Sequence, residues 1–486
     1  MREKVVKGGI ALIIRQTLSL PVNAVGIIFA SRLLTPADFG AQAFIIPLST
    51  IAMVLADLGT SQALVQSAEE AEPALLRKVQ LLKLLGGILS AVAFSLLSPW
   101  ILHYFALPAS FIWLFPACGF LGWLQSQRAY QAVGLQRQVN WQLLARIEMM
   151  EIVSYNVALV ISAYLLRSAW CFVLALSTRY LIGAILLRIS TQPQTINSSS
   201  SLTLNSLLRF GVPLQATLLF GILNGLVNPV VVGSLVGLHA VGIVNWSTYI
   251  VSLPTLPLQP LPNFLFSVLS ERRRQGRNDN DLLANVTYIG SIAIGLLSLW
   301  IALSMEWLVM HIFGAQWNEA VPVVSILILG NLIWFPTILI ASQLTSHGYS
   351  QVWFLTNLLG TLLLWITAGL GTIYLGTMGY VLGWLVASSI PLVVLSGAAQ
   401  SRTGLNVPWF DSLYLMISFE YALWISRFVT GMTNLLSFYS MLLNLLVGSL
   451  VFMSAIWLLG RLRKIDWLGI LSLIWRRGSH EVSGLR

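Results

Sequence analysis

Arg15 stands inside the apolar run "IALIIRQTLSLP", residues 10 to 21. A cation at membrane depth costs at least a few kcal/mol unless a counter-charge or water compensates it. Its planar fork of N–H donors also suits phosphate oxygens. Counted from residue 8 at 1.5 Å per residue, Arg15 lies about 10 Å inside one membrane edge. Asp57, counted back from residue 66, falls at roughly 13 Å on the adjacent apolar run. Two readings stay open: Arg15 and Asp57 neutralise each other as a packing device, or Arg15 faces a hydrated cavity and meets an anion. Arg179 raises the same question at a depth of about 13 Å, with Glu148 or Glu151 as its expected partner. Glu420 and Arg427, seven residues apart on one helix face, are expected to satisfy each other or reach the interface.

From Phe210 to Ser270, and again from Ala320 to Ser401, there is no Asp, Glu, Lys or Arg. Any ligand surface there must be neutral. Its polar candidates are Gln215, Asn224 and Asn228, the last two sharing a face at i and i+4. Their amides suit sugar hydroxyls, or bonds between helices. The chain holds no G-x-x-x-x-G-K-[ST] loop and no H-E-x-x-H, and its five histidines, 103, 239, 311, 347 and 480, are scattered. Neither ATP-driven transport nor a metal site nor any other cofactor is expected.

The elements that must position these side chains follow from composition. Of 486 residues, 57% are hydrophobic and 9% charged, against roughly 25% charged in soluble domains. The chain is expected to be an all-α polytopic membrane protein. Its net charge of +10 is assigned to loops that set topology, and nucleic acid is not expected as a partner. Cys118 and Cys171 lie in apolar runs, so neither a disulfide nor a metal is expected from them. The opening "MREKVVK" and its apolar run imitate a signal peptide, but Arg15 interrupts the run and no A-x-A-like cleavage site follows, which reads as a retained first helix. The tryptophans, among them Trp100, Trp170, Trp307 and Trp317, are expected as interfacial anchors.

Apolar runs give spans near 10–31, 41–66, 79–98, 109–127, 147–166 and 170–187, then, after a polar stretch, near 210–232, 241–264, 282–305, 321–343, 352–374, 379–397, 412–431 and 439–460. The expected organisation is an N-terminal six-helix lobe (1–190), a linker (191–206, rich in Ser, Thr, Pro and Asn), a second six-helix lobe (207–400), and two additional helices with a basic tail (401–486). Residues 465–475 are expected on the membrane surface. One side of the membrane collects Lys4, Lys7, Arg77, Lys78, Arg128, Arg137, Arg188, Arg209, Arg272 to Arg274, Arg402 and the tail residues Arg461, Arg463, Lys464, Arg476 and Arg477, and the other Arg32, Arg167 and Arg427. Both termini are therefore expected in the cytoplasm. A shift of 202 residues matches Leu33 to Leu235 and Gly40 to Gly242. It places the first turn of one half on the first turn of the other, so the halves are parallel repeats with a substrate site between them.

The stretches "RLLTPADFG" and "DLGTSQALVQ", with "QSQRAYQAVGLQRQVNW" and the six, six and two span count, resemble the polysaccharide flippases of the multidrug, oligosaccharidyl-lipid and polysaccharide exporter superfamily. In the first stretch Thr35 can cap a helix that Pro36 opens, with Asp38 near its N-terminus. The resemblance implies a V-shaped, two-lobed transporter in the bacterial cytoplasmic (inner) membrane. It implies a cargo of polyprenyl-diphosphate-linked oligosaccharide moved from inner to outer leaflet without bond making or breaking, and partners among membrane lipids and polysaccharide-assembly proteins. Arg15 and Arg179, with Asp57, Gln215, Asn224 and Asn228, are the substrate-binding candidates on this reading. Asn228 departs from the Asp common in relatives, which puts carboxylate-based coupling in the second lobe in doubt. Two other readings are weighed: a drug or cation antiporter of the same superfamily, which would favour acidic lobes, and a membrane polysaccharide polymerase or ligase, which would want a sizeable external loop. The longest external connection, 306–320, holds only Glu306, His311 and Glu319 as candidate groups.

Overall fold

The computed structural model describes residues 2–67, 69, 72–105, 107–190, 202–216, 218–259, 261–275, 280–404, 409–432 and 437–462. These are almost wholly helical, as a chain in lipid requires: each backbone N–H and C=O must find its partner within the element. The first lobe contains α1 (Arg2–Leu33), α2 (Pro36–Asp57), α3 (Thr60–Gln66), α4 (Pro73–Tyr104), α5 (Leu114–Arg137), α6 (Trp141–Leu166) and α7 (Trp170–Ser190). The second contains α8 (Leu204–Ala216), α9 (Leu218–Val227), α10 (Gly233–Leu235), α11 (Leu238–Ser252), α12 (Leu261–Arg274), α13 (Asn280–Leu308), α14 (Ala320–Leu327), α15 (Gly330–Ser346) and α16 (Ser350–Thr403). The pair α17 (Trp409–Gly431) and α18 (Ser437–Leu462) packs against α13 and α15. Most of the expected linker 191–206, and the expected surface helix 465–475, lie outside the described residues.

Among the described residues these helices make fourteen passes, and their breaks have local causes. Eight helical segments are long and apolar enough to cross a membrane by themselves among the described residues. The other passes are interrupted or carry charge: α9 runs into a π-helical turn at Asn228–Val232, where Pro229 removes a donor, and Pro254 and Pro257 stand between α11 and α12. The 54 residues of α16 form two passes, because Gly376, at φ 59° and ψ −138°, reverses the chain. Thr367 then donates to the Gly383 carbonyl at 2.7 Å across the hairpin. Leu58 (φ 44°) and Gly59 (φ 75°) break the second pass just after Asp57. At the other end of α2 the expected cap is present, with Thr35 and Asp38 forming a reciprocal capping box ahead of Pro36.

The lobes meet along two seams. On the side poor in loop cations, α2 crosses α11 so closely that a Cβ on Gly40 would lie 2.2 Å from the Leu238 carbonyl oxygen. A Cβ on Gly242 would lie 1.6 Å from that of Pro36. Pro36 and Leu238 are themselves 202 residues apart, so the sequence repeat is a pseudo-twofold contact: each half's glycine receives the other half's helix start. Trp246 and Trp317 stack beside it at 4.5 Å between centroids, and Ser31 accepts from both indole N–H groups, at 2.7 Å on Oγ and 3.0 Å on the carbonyl. Arg32 donates to the carbonyls of His311 and Ile312. Trp317, expected as an interfacial anchor, is instead fully buried in this seam, whereas Trp100 is exposed. On the cation-rich side, Gly59 abuts Gly211, where a Cβ on either would meet backbone under 3 Å away.

Gly242→Ala should lower the stability of the detergent-purified protein by about 1–3 kcal/mol, the cost of overpacking, seen as a lower melting temperature. Gly221→Ala, whose Cβ would meet nothing within 4 Å, should not lower the melting temperature, since alanine favours a helix interior over glycine.

Candidate functional site

Between the seams lies a cavity of ≈ 710 Å³. Two helices present polar stripes to it at three- and four-residue spacing, the signature of one helix face. On α1 the stripe is Arg15, Gln16, Ser19, Asn23, and on α6 it is Glu148, Glu151, Tyr155, Asn156. Arg128 reaches it from α5 and Arg179 with Tyr180 from α7. The second lobe contributes only neutral groups, chiefly Tyr249, Ser252 and Gln259. All charge on the wall therefore belongs to the first lobe.

Those charges form a network with one member left over. Arg15 pairs with Glu148. Arg128 spans both carboxylates, with Nη2 3.0 Å from Glu148 Oε1 and Nε 2.9 Å from Glu151 Oε1. Glu151 fits against α7 only because residue 183 is glycine, whose Cβ would fall 2.2 Å from Glu151 Oε1. Further along, Asn156 donates to Asn23 Oδ1 at 3.0 Å, with Gly26 making room for it. Three guanidinium groups thus face two carboxylates. Arg179 makes no ion pair among the described residues, and its buried Nε has no hydrogen-bond partner among them. The Nε of Arg15 is likewise unsatisfied.

The six residues singled out from sequence fall in four places. Arg15 and Arg179 both line the cavity. The expected partner of Arg15 is corrected from Asp57 to Glu148, and that of Arg179 from Glu148 or Glu151 to none among the described residues, since Arg128 and Arg15 take both carboxylates. Depth along the membrane normal matched Arg15 to Asp57, but α1 packs on α6 while α2 packs on α4 and α5, so the two are separated around the lobe. Asp57 sits off the cavity at 1% exposure, paired with Lys83, which is 0% exposed. Ser61 donates to the same carboxylate, and Gln215 reaches it from the second lobe with Nε2 3.4 Å from Oδ2. The Lys83 ammonium also lies 5.9 Å from the centre of the Tyr130 ring. Asn228 is buried elsewhere, donating to the Val241 carbonyl at 3.2 Å, and Asn224 is exposed; neither lines the cavity. Of the two expectations for Glu420 and Arg427, the mutual pair is absent among the described residues: Arg427 bonds Glu306 of α13 at 3.2 Å, and Glu420 is exposed.

Lys83 and the part played by Arg128 were missed from sequence. The available signal was that Asp57 needs a cation, and Lys83 sits inside the next apolar run. For the cavity it was the polar spacing along α1.

The family model described as polysaccharide biosynthesis protein matches residues 29–322. No curated protein matches the sequence. Among solved structures, the lipid II flippase MurJ in an inward closed conformation superposes with a TM-score of 0.70 at 16% identity, over 94% of this chain and 99% of that one. An inward-facing multidrug resistance MATE family transporter of the MOP superfamily gives 0.61 at 14% identity, over 80% and 94%. A MOP superfamily transporter from Pyrococcus furiosus, described by the reverse polarity of its binding pocket, gives 0.51 at 15% identity, over 82% and 95%. At these identities the likeness is one of fold.

Lys83→Met should cost about 3–5 kcal/mol, because it strands a buried carboxylate. Combining it with Asp57→Leu should recover most of that loss. Melting temperatures of the single and double variants in detergent would read the coupling; equal, additive losses would refute it.

Proposed function

This chain belongs to the polysaccharide biosynthesis protein family, and from that premise we propose that it carries a polyprenyl-diphosphate-linked oligosaccharide across the membrane by alternating access. The observation that carries the reading is the uncompensated Arg179 guanidinium beside Arg15 in a cavity whose charged groups sum to a positive excess. In a space of low dielectric such an excess selects anions and rejects cations. A diphosphate offers oxygens to both forks of N–H donors. The neutral wall of Tyr155, Tyr249, Asn23 and Gln42 offers amide and phenol groups to sugar hydroxyls.

Residues 1–190 and 207–400 act as the two moving lobes, joined by 191–206, with 401–486 riding on the second. Loading requires the Gly59–Gly211 seam to part, together with the Asp57–Gln215 bond across it. Release requires α2 and α11 to separate at Gly40 and Gly242. The excess of loop cations orients the first seam towards the cytoplasm, so the movement runs from inner to outer leaflet of the cytoplasmic membrane. No covalent step is needed. Cargo cations of a drug antiporter would meet the wrong sign of charge.

In a strain lacking the gene and complemented with variants, Arg179→Ala and Arg15→Ala should each abolish glycan export and accumulate lipid-linked sugar on the cytoplasmic face, with the protein inserted at wild-type level. The Lys variants should keep part of the export, since the charge persists and the fork is lost. Wild-type export from both Ala variants overturns the reading.

A further inference from the structure

Glu148 and Glu151 look alike in sequence but are held differently. Glu151 is 2% exposed, wedged against Gly183 and fixed by Arg128 Nε. Glu148 is 19% exposed, lines the cavity and divides its two oxygens between Arg15 on α1 and Arg128 on α5. Arg15 is underused in return: its Nε has no partner and its Nη2 meets only Gln16 Oε1 at 3.3 Å. A carboxylate on a ligand-facing fork of N–H donors is chemically the same guest as a phosphate oxygen.

We propose that Glu148 is a tethered competitor, an internal anion that holds Arg15 while the cavity is empty and yields it to the diphosphate of the cargo. The inference rests on the diphosphate reading above. Leaving Arg15 does not strand Glu148, because its Oε1 keeps the bond to Arg128 at 3.0 Å. The exchange therefore avoids the penalty of an unpaired buried carboxylate. It frees Arg15 to join the already unpaired Arg179 on one diphosphate, and leaves Arg128 with Glu148 and Glu151 as a self-contained cluster. Return of Glu148 to Arg15 then opposes rebinding of the head group once the outer seam opens. The carboxylate weakens binding and speeds release.

The test is binding of farnesyl diphosphate to the purified full-length protein in detergent at fixed pH and ionic strength. Glu148→Gln should tighten binding roughly tenfold, the scale of one lost charge pair, and should slow export in the complemented strain. Glu148→Asp, whose shorter chain draws the carboxylate back from Arg15, should also tighten binding and serves if the Gln variant folds poorly. Glu151→Gln should not tighten it. Unchanged or weaker binding in the Glu148 variants, or equal tightening by Glu151→Gln, overturns the proposal. If Arg15→Ala and Arg179→Ala lose the probe while Glu148→Gln gains nothing, the competitor falls and the diphosphate reading stands. If no variant and not the wild type binds the probe, both fall.

Discussion

A guanidinium group below the membrane surface must be met by opposite charge, by water or by a ligand, and that requirement organises the first lobe. It brings α1, α5, α6 and α7 around one cavity, because the carboxylates that satisfy Arg15 and Arg128 both sit on the inner stripe of α6. The same requirement, met without an excess, produces the opposite environment at Asp57 and Lys83. There one carboxylate and one ammonium are sealed among Ser61, Gln215 and the Tyr130 ring, and no room is left for a ligand. The difference between a packing pair and a candidate binding surface in this protein is one surplus cation, Arg179.

The seams show how a chain of packed helices can hold such a cavity shut and still come apart. Both are built on glycine, which lets backbones touch without interlocking side chains. The seam between α2 and α11 is made twice over, each lobe's glycine receiving the other lobe's first helical turn. Trp246, Trp317 and Ser31 seal that side with stacking and two hydrogen bonds. Among the described residues the cation-rich side is closed by two glycines, one long amide contact from Gln215 to Asp57, the Gln16 amide on the Leu256 carbonyl and an apolar cluster that includes Leu64 and Leu207.

Much of this was legible in the chain. Apolar runs bounded by charge fixed fourteen passes, because lipid allows a spanning backbone few other solutions. The shift of 202 residues found the interlobe axis, because a close helix crossing tolerates nothing larger than glycine and both halves must meet the same condition. Arg15 and Arg179 stood out because charge is rare in such runs. Three things were not legible. Depth alone paired Arg15 with Asp57, whereas the true partners differ by position around the bundle. Lys83 passed unnoticed as a cation near a span end. Gln215, Asn224 and Asn228 were grouped by chemical type, and the fold sends them to a seam, an exposed face and a helix break.

The sequence by itself therefore determined which segments cross the membrane and which residues are too costly to be incidental, since these follow from periodicity, composition and the cost of burying charge along one chain. Only the tertiary structure decided who compensates whom. That depends on the rotation of each helix about its axis and on which helices are neighbours, quantities set by packing across sequence separations such as the 133 residues between Arg15 and Glu148.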